Sequence, residues 1–350
     1  MAASLSRTLT RSPDPGSLVV LPASGVPTGL DGPADKPDVS PSPKDDMMNT
    51  RARGIALVIA AGVATGTVTV AQDQPVVFRS TVDVVSVTAV VRDKRQRVVT
   101  SLTQQDLQVI DAGEPQAILD FRTQASAPAS VALLLDGSGS MRLGAAHDAA
   151  RRISEAVLDS LDSTRDDAAL MTFDRRLVTV HGFTHDFGRI RTGLDRVEAF
   201  GTTSLYDAIA GTTGMVAGKS QNRRAVIVLT DGLDTNSSYT PAEVSRIASS
   251  IDVPVYIFAL GDVPADQPGK SISALRELAH ETGGDVIVAN TPLLVTAGIK
   301  RLVEELRHQY LISFRANSFD GLRRVQVRAN RKDLTVRSRA WYFAGDEQHQ

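Results

Sequence analysis

The 350-residue chain contains no cysteine. That absence excludes disulfides, thiol nucleophiles, thiolate zinc sites, iron–sulfur clusters and a lipid anchor on an N-terminal cysteine, so any metal must be held by oxygen or imidazole. Charge of one sign is also missing: 38 Lys and Arg stand against 40 Asp and Glu, for a net charge of −2. Nucleic-acid binding, which requires a strongly basic face, is not indicated. The six histidines form no His-Glu-x-x-His pair on a helix, and no Gly-Lys-Ser/Thr phosphate loop occurs. Gly137-x-Gly139 lacks the third glycine of a dinucleotide fingerprint, because Arg142 stands there. Gly-x-Ser-x-Gly is missing around Ser138, which argues against a serine nucleophile at a strand-to-helix elbow. No repeat of 20–50 residues is apparent, which excludes a solenoid.

What the chain does contain is enough apolar residue for a large core: 42% are hydrophobic and 22% charged. Length alone predicts two domains, or one with an appendage. Residues 1–46 are rich in Pro, Ser, Asp and Gly and show no hydrophobic period, so they are expected to be a disordered or mis-assigned leader. The stretch Met47-Met48-Asn49-Thr50-Arg51-Ala52-Arg53 is basic, Gly54–Val70 is uncharged and apolar, and Thr69 and Ala71 occupy the −3 and −1 positions of a cut after Ala71. Residues 47–71 therefore read as a signal peptide, with translation starting at Met47 or Met48. A membrane anchor is the weaker reading, since 17 residues diluted by Gly and Thr fall short of the roughly 20 strongly apolar residues of a span. The protein is expected to be secreted, periplasmic or in the cell envelope, with no stable span after cleavage.

Two kinds of hydrophobic pattern follow. In 76–123 the alternation of Val85, Val87, Ala89 and Val91 predicts a half-buried strand, with a charged turn at Arg92–Gln96. Leu107–Asp111 and Ala117–Arg122 then flank a hairpin turn at 111–114. The segment 310–343 returns to this alternation. Tyr310, Ile312, Phe314 and Ala316 share one face, Val325, Val327 and Ala329 another, and Thr335–Phe343 forms a third piece. Few strands are stable without a covering surface, so 76–123 and 310–343 are expected to meet in one β-sandwich module. Between them, the apolar runs Val131–Leu135, Ala168–Phe173, Ala225–Leu229, Val253–Leu260 and Asp285–Ala289 alternate with helical spacing. Ala146, Ala149, Ile153, Val157 and Leu161 mark one helix; Val295, Ile299, Leu302 and Leu306 mark another. That alternation predicts an α/β domain over 127–309, with a doubly wound, mostly parallel sheet.

Ligands of such sheets bind beyond the carboxyl ends of the strands. Two predicted strands end there in aspartate: Val131–Leu135 runs into Asp136-Gly137-Ser138-Gly139-Ser140, and Ala225–Thr230 runs into Asp231-Gly232. Gly201-Thr202-Thr203-Ser204 opens a helix between them. Two carboxylates and three hydroxyls suit a hard cation such as magnesium, which keeps waters and leaves a position for an outside oxygen. Each motif alone is bland. Asp-Gly-Ser-Gly-Ser is ordinary turn chemistry, Thr203 or Ser204 can simply cap a helix over Tyr206–Met215, and Asp207 near its start can complement the dipole.

Taken together, Asp136-x-Ser138-x-Ser140, Thr203 and Asp231 resemble the metal-ion-dependent adhesion site of von Willebrand factor A-type domains, over about residues 127–309. The flanking strands resemble the β-sandwich of related exported bacterial proteins. The resemblance implies that Ser138, Ser140 and Thr203 contact Mg²⁺ or Mn²⁺, with Asp136 and Asp231 bound directly or through water. Thr202 departs from the glycine common in relatives. The implied function is a non-enzymatic, metal-dependent interaction with a protein partner that presents an Asp or Glu carboxylate. It also implies that the last helix, about Leu293–His308, shifts on ligand binding and passes the shift to the Tyr310 strand. One alternative is a metal-dependent hydrolase or phosphoryl-transfer enzyme with Asp136 as nucleophile. Ser138 stands where such enzymes want a second carboxylate, and no general base is evident: His147 flanks the first helix, and His181 and His185 bracket a surface turn. The other alternative is an envelope protein whose ion is purely structural. Two carboxylates about 6 Å apart repel by up to ~3 kcal/mol at an effective dielectric near 20.

Overall fold

The computed structural model describes residues 84–142, 145–197, 201–220, 223–260, 272–316 and 321–344. The segments expected to be a leader (1–46) and a signal peptide (47–71), and residues 76–83, lie outside the described residues.

In the order of the chain, β1 (Val84–Asp93), β2 (Leu107–Asp111), β3 (Glu114–Gln116) and β4 (Ile118–Thr123) come first. The α/β part follows with β5 (Ala129–Asp136), α1 (Ala146–Ser160), β6 (Asp167–Phe173), β7 (Leu177–Thr184), α2 (Phe187–Leu194), α3 (Leu205–Ala217) and β8 (Arg223–Thr230). It continues with α4 (Pro241–Ser250), β9 (Val255–Leu260), α5 (Ile272–Glu281), β10 (Val286–Ala289) and α6 (Pro292–Arg307). β11 (Tyr310–Arg315), β12 (Gly321–Ala329), β13 (Leu334–Ser338) and β14 (Trp341–Ala344) close the chain.

Six strands form the central sheet in the order β10-β9-β8-β5-β6-β7. All neighbours are parallel except β6 and β7. Every residue of β5 is buried, because both faces are covered. Val131, Leu133 and Leu135 pack with α1, α2 and α6, while Ala132 and Leu134 pack with α3, α4 and α5. This two-sided burial is why the strand reads as a continuous apolar run. β7 has no such signature. It is an antiparallel edge strand with Val178 and Val180 exposed, and its alternation is interrupted by bulged pairing with β6. His181 lies within β7, and His185 immediately follows it, rather than bracketing a surface turn as expected.

Two four-stranded antiparallel sheets, ordered β13-β1-β11-β4 and β14-β12-β2-β3, share one apolar core. Val87, Ala89, Val91, Tyr310, Ile312 and Phe314 from the first meet Val109, Val325, Val327 and Tyr342 from the second. The expected strand Ala117–Arg122 does not continue the hairpin. β3 pairs with β2 through a two-residue turn in which Ala112 and Gly113 both have positive φ, whereas β4 crosses to the other sheet. The expected piece Thr335–Phe343 divides likewise into β13 and β14, one in each sheet.

Arg92 belongs to β1, not to an exposed turn, and is 4% exposed. Its Nε donates to Glu305 Oε1 on α6 at 2.7 Å. Arg337 on β13 pairs with both Glu305 and Asp285, and Arg301 pairs with Asp285. Only His308 and Gln309 separate α6 from β11. A buried charge cluster thus fastens the last helix of the α/β part to the first antiparallel sheet.

Candidate functional site

The carboxyl ends of β5 and β8 lie side by side at the centre of the parallel sheet. Asp136 is the last residue of β5 and is 2% exposed. Its Oδ1 accepts from the Ser138 N–H at 2.9 Å, and its Oδ2 accepts from Thr230 Oγ1 at 2.6 Å. The backbone leaves the strand through Gly137, whose N–H donates to the Phe173 carbonyl at 2.7 Å. Ser138 and Ser140 then sit two apart, at the start of and within a 3₁₀ turn, with their hydroxyl oxygens 2.9 Å from each other.

Asp231 directly follows β8, is 8% exposed, and accepts from the Leu233 N–H at 3.1 Å. Its charge is felt at Asp136. Burial, first, and then the neighbouring Asp231 carboxylate push the Asp136 carboxyl up to about 6, against the hydrogen bonds from Thr230 and Ser138.

Thr203 is 1% exposed in the loop before α3. Its N–H donates to Thr235 Oγ1 at 3.1 Å, and its carbonyl accepts from the N–H groups of Thr235 and Asn236 at 2.9 and 3.0 Å. The Gly139 N–H donates to the Gly201 carbonyl at 3.3 Å. The three segments of the site are therefore joined to one another: 136–140 to 201, 203 to 235–236, and Asp136 to Thr230. Gly201 has φ 102°, and a Cβ there would come within 3.1 Å of Asp174 Oδ2.

The caps expected from Thr203 or Ser204 are supplied otherwise. The Ser204 side chain makes no capping hydrogen bond to α3. Asp234 Oδ1 accepts from the Leu205 N–H at 2.9 Å, and Ser237 Oγ accepts from the Tyr206 N–H at 3.0 Å. Asp207 in turn accepts from the N–H groups of Ser238 and Tyr239. The loop after Asp231 thus caps α3 from outside, which fixes Thr203 at the rim. None of Thr230, Thr235, Asp234 and Ser237 is marked by a motif of its own. Only the run of hydroxyl and acidic residues after the strand, Thr230-Asp231 through Ser237-Ser238, hints at them.

Among the described residues no group of three or more His, Cys, Asp or Glu side chains is placed to hold a metal ion. The donor set at this rim is of another kind, two carboxylates with hydroxyls. A buried carboxylate with a like-charged neighbour, beside two hydroxyls in contact, fits a hard divalent cation, which would neutralise the pair and accept oxygen ligands. The histidines of β7 and its end offer no base here. His181 Nδ1 lies 2.7 Å from the Gly182 carbonyl, and His185 Nδ1 lies 2.8 Å from the Asp166 carbonyl at the far end of β6.

Residues 131–233 match the family model of the von Willebrand factor type A domain, a segment that contains Asp136, Ser138, Ser140, Thr203 and Asp231. The fold is mixed α/β, a mostly parallel central sheet with additional antiparallel sheets, and its segment 131–233 is similar to that domain type. Among solved structures, the chain is similar to a von Willebrand factor type A protein from Catenulispora acidiphila at 15% identity, covering 76% of each chain, with a TM-score of 0.44. It is similar to the conserved hypothetical protein BatB from Bacteroides thetaiotaomicron at 21% identity, covering 51% of this chain and 98% of that one, with a TM-score of 0.41. The vWF domain of the pilus tip protein Mfa5 from Porphyromonas gingivalis is similar at 20% identity over 33% of this chain and 43% of that one, with a TM-score of 0.29. No curated protein matches the sequence.

Proposed function

We propose that the rim formed by Asp136, Ser138, Ser140, Thr203 and Asp231 is a Mg²⁺ or Mn²⁺ site through which this protein binds a protein partner, without catalysis. The observation that carries the reading is the buried Asp136, raised by burial and by Asp231, beside the touching hydroxyls of Ser138 and Ser140. A bound cation supplies charge neutralisation and an electrophilic position for an outside oxygen. The protein's part is to hold the donors. Thr230 and the Ser138 N–H orient the Asp136 carboxylate, Gly137 and Gly139 let the two serines turn toward it, and the 235–236 backbone pins Thr203. A carboxylate of the partner is the ligand that matches the remaining position. The protein acts outside the cytoplasm, in the envelope or the medium, a reading that rests on the segment 47–71; among the described residues no helix is long and apolar enough to cross a membrane.

The test is calorimetry of Mg²⁺ and Mn²⁺ on the metal-free chain, with Asp136→Ala and Asp231→Ala alongside, followed by capture of envelope and culture-fluid proteins with and without chelator. The expected result is saturable metal binding lost in both variants while each stays folded, and a partner retained only with metal. Metal binding that raises the melting temperature while no partner depends on it would make the ion structural. Absence of metal binding in the wild type overturns the proposal.

A further inference from the structure

The opposite end of the central sheet holds a second constellation. At the amino ends of β5 and β8, a cavity of about 250 Å³ opens between the last turns of α1 and α6. Three arginines from three elements line it: Arg165 from the loop after α1, Arg223 from the start of β8 and Arg307 from the end of α6.

Arg223 is 4% exposed. Its Nη1 donates to the Leu306 carbonyl at 2.9 Å, and its Nη2 lies 3.5 Å from Asp166 Oδ1. Its buried Nε–H has no hydrogen-bond partner among the described residues. A buried donor left without an acceptor is costly. Arg307 and Arg165 are anchored to backbone carbonyls, Nη2 of the first to Ser160 at 2.5 Å and Nη1 of the second to Ser126 at 3.2 Å. Beyond these bonds each guanidinium has further N–H donors.

The carboxylates nearby are committed. Asp166 accepts from the N–H groups of Ala129 and Asp162, each at 2.9 Å. Asp162 accepts from Thr164 and from Arg165 Nε. Three guanidiniums against two carboxylates, Asp162 and Asp166, leave the lining net positive by one charge. Burial lowers the Arg223 guanidinium from its ordinary value; Asp166 opposes this, and the positive charges of Arg165 and Arg307 add to it.

We propose that this cavity binds a small organic phosphate. The dianionic head lies among Arg165, Arg223 and Arg307, and the carbon portion lies on Leu161, Val303 and Leu306. One guanidinium fork satisfies a carboxylate, whereas donors arriving from three elements suit the three terminal oxygens of a tetrahedral phosphate. The apolar wall gives room for more than a bare ion.

The test uses the full chain with chelator present, so that phosphate cannot act through a divalent ion at the other end of the sheet. Inorganic phosphate and phenyl phosphate are titrated by calorimetry and by thermal melting, against sodium chloride at equal ionic strength. The expected result is saturable binding of both, tighter for phenyl phosphate. Affinity should fall at least tenfold in the double variant Arg165→Gln, Arg307→Gln, whose exposed side chains are not part of the core. Melting behaviour no different from chloride, or equal affinity in the double variant, overturns the proposal. Inorganic phosphate binding as tightly as phenyl phosphate overturns the organic part of it.

Discussion

Asp136 gathers most of what is unusual here at the scale of single residues. It lies where a strand buried on both faces meets the rim, so its carboxylate is desolvated and its pKa rises to about 6. A raised folded pKa means that the ionised carboxylate disfavours the metal-free fold: the cost is absent below the unfolded value near 4 and fully present above about 6. Asp136→Asn is therefore expected to stabilise the metal-free protein at pH 8 by on the order of 2 kcal/mol while abolishing its thermal response to Mg²⁺. Chemical denaturation with and without metal checks both halves. Thr230 is the second informative residue. Its hydroxyl donates to Asp136 Oδ2 and accepts from the Gly232 N–H. Thr230→Val should cost about 2 kcal/mol by stranding those groups. It should also weaken metal binding about tenfold, as loss of an orienting partner does elsewhere; calorimetry alongside melting separates the two effects.

Among the elements, α6 carries the most constraint. Its Gly298 lies so close to β9 and β10 that a Cβ would come within 2.4 Å of Ile287 Cγ2 and 3.0 Å of Phe258 Cε1. Its Glu305 is 1% exposed and faces Arg92 and Arg337. Sliding of this helix, the movement implied by the resemblance, has to break those pairs or carry β1 and β13 along. Glu305→Gln leaves the buried Arg92 without its carboxylate and Arg337 with Asp285 alone, and is expected to destabilise the fold by about 3 kcal/mol or more. If α6 moves on ligand binding, the same variant changes the affinity for metal or partner as well; an unchanged affinity means that the helix is a fixed strut.

Over the whole molecule, the antiparallel sheets and the α/β part are joined by ionic contacts whose strength depends on pH. Burial acts to raise the Asp285 carboxyl, but the hydrogen bond from His280 and the charges of Arg337, Arg301 and His280 together hold it well below the usual carboxylate range. A depressed folded pKa contributes stability that is fully present above the unfolded value near 4 and is lost as pH falls toward the folded one. Stability should therefore show no loss from Asp285 between pH 7 and 5 and should decline below about pH 4. Asp285→Asn should be less stable at neutrality and show a shallower acid slope. A slope equal to that of the wild type would remove Asp285 from the junction's energetics.

The parallel sheet was legible in the sequence because strands covered on both faces must be apolar throughout, as Val131–Leu135 and Ala225–Leu229 are. Asp136, Ser138, Ser140, Thr203 and Asp231 stood out for a related reason: polar residues where such runs stop are confined to the rim. β7 is silent in the sequence because an edge strand with Val178 and Val180 in solvent carries no burial pattern. The crossing of β4 and the division of 335–343 between two sheets were hidden because a crossover changes a strand's neighbours without changing its alternation. Arg92 read as a turn residue because charge in a sequence signals solvent unless a partner is known, and its partner Glu305 lies 213 positions away. Local composition and period determine which residues must leave water and which segments end at the rim. Only the tertiary structure decides which distant charges meet. It sets Arg92 and Arg337 against Glu305, Thr230 against Asp136, and three arginines around one cavity, because those pairings depend on where the backbone brings elements together and not on spacing along the chain.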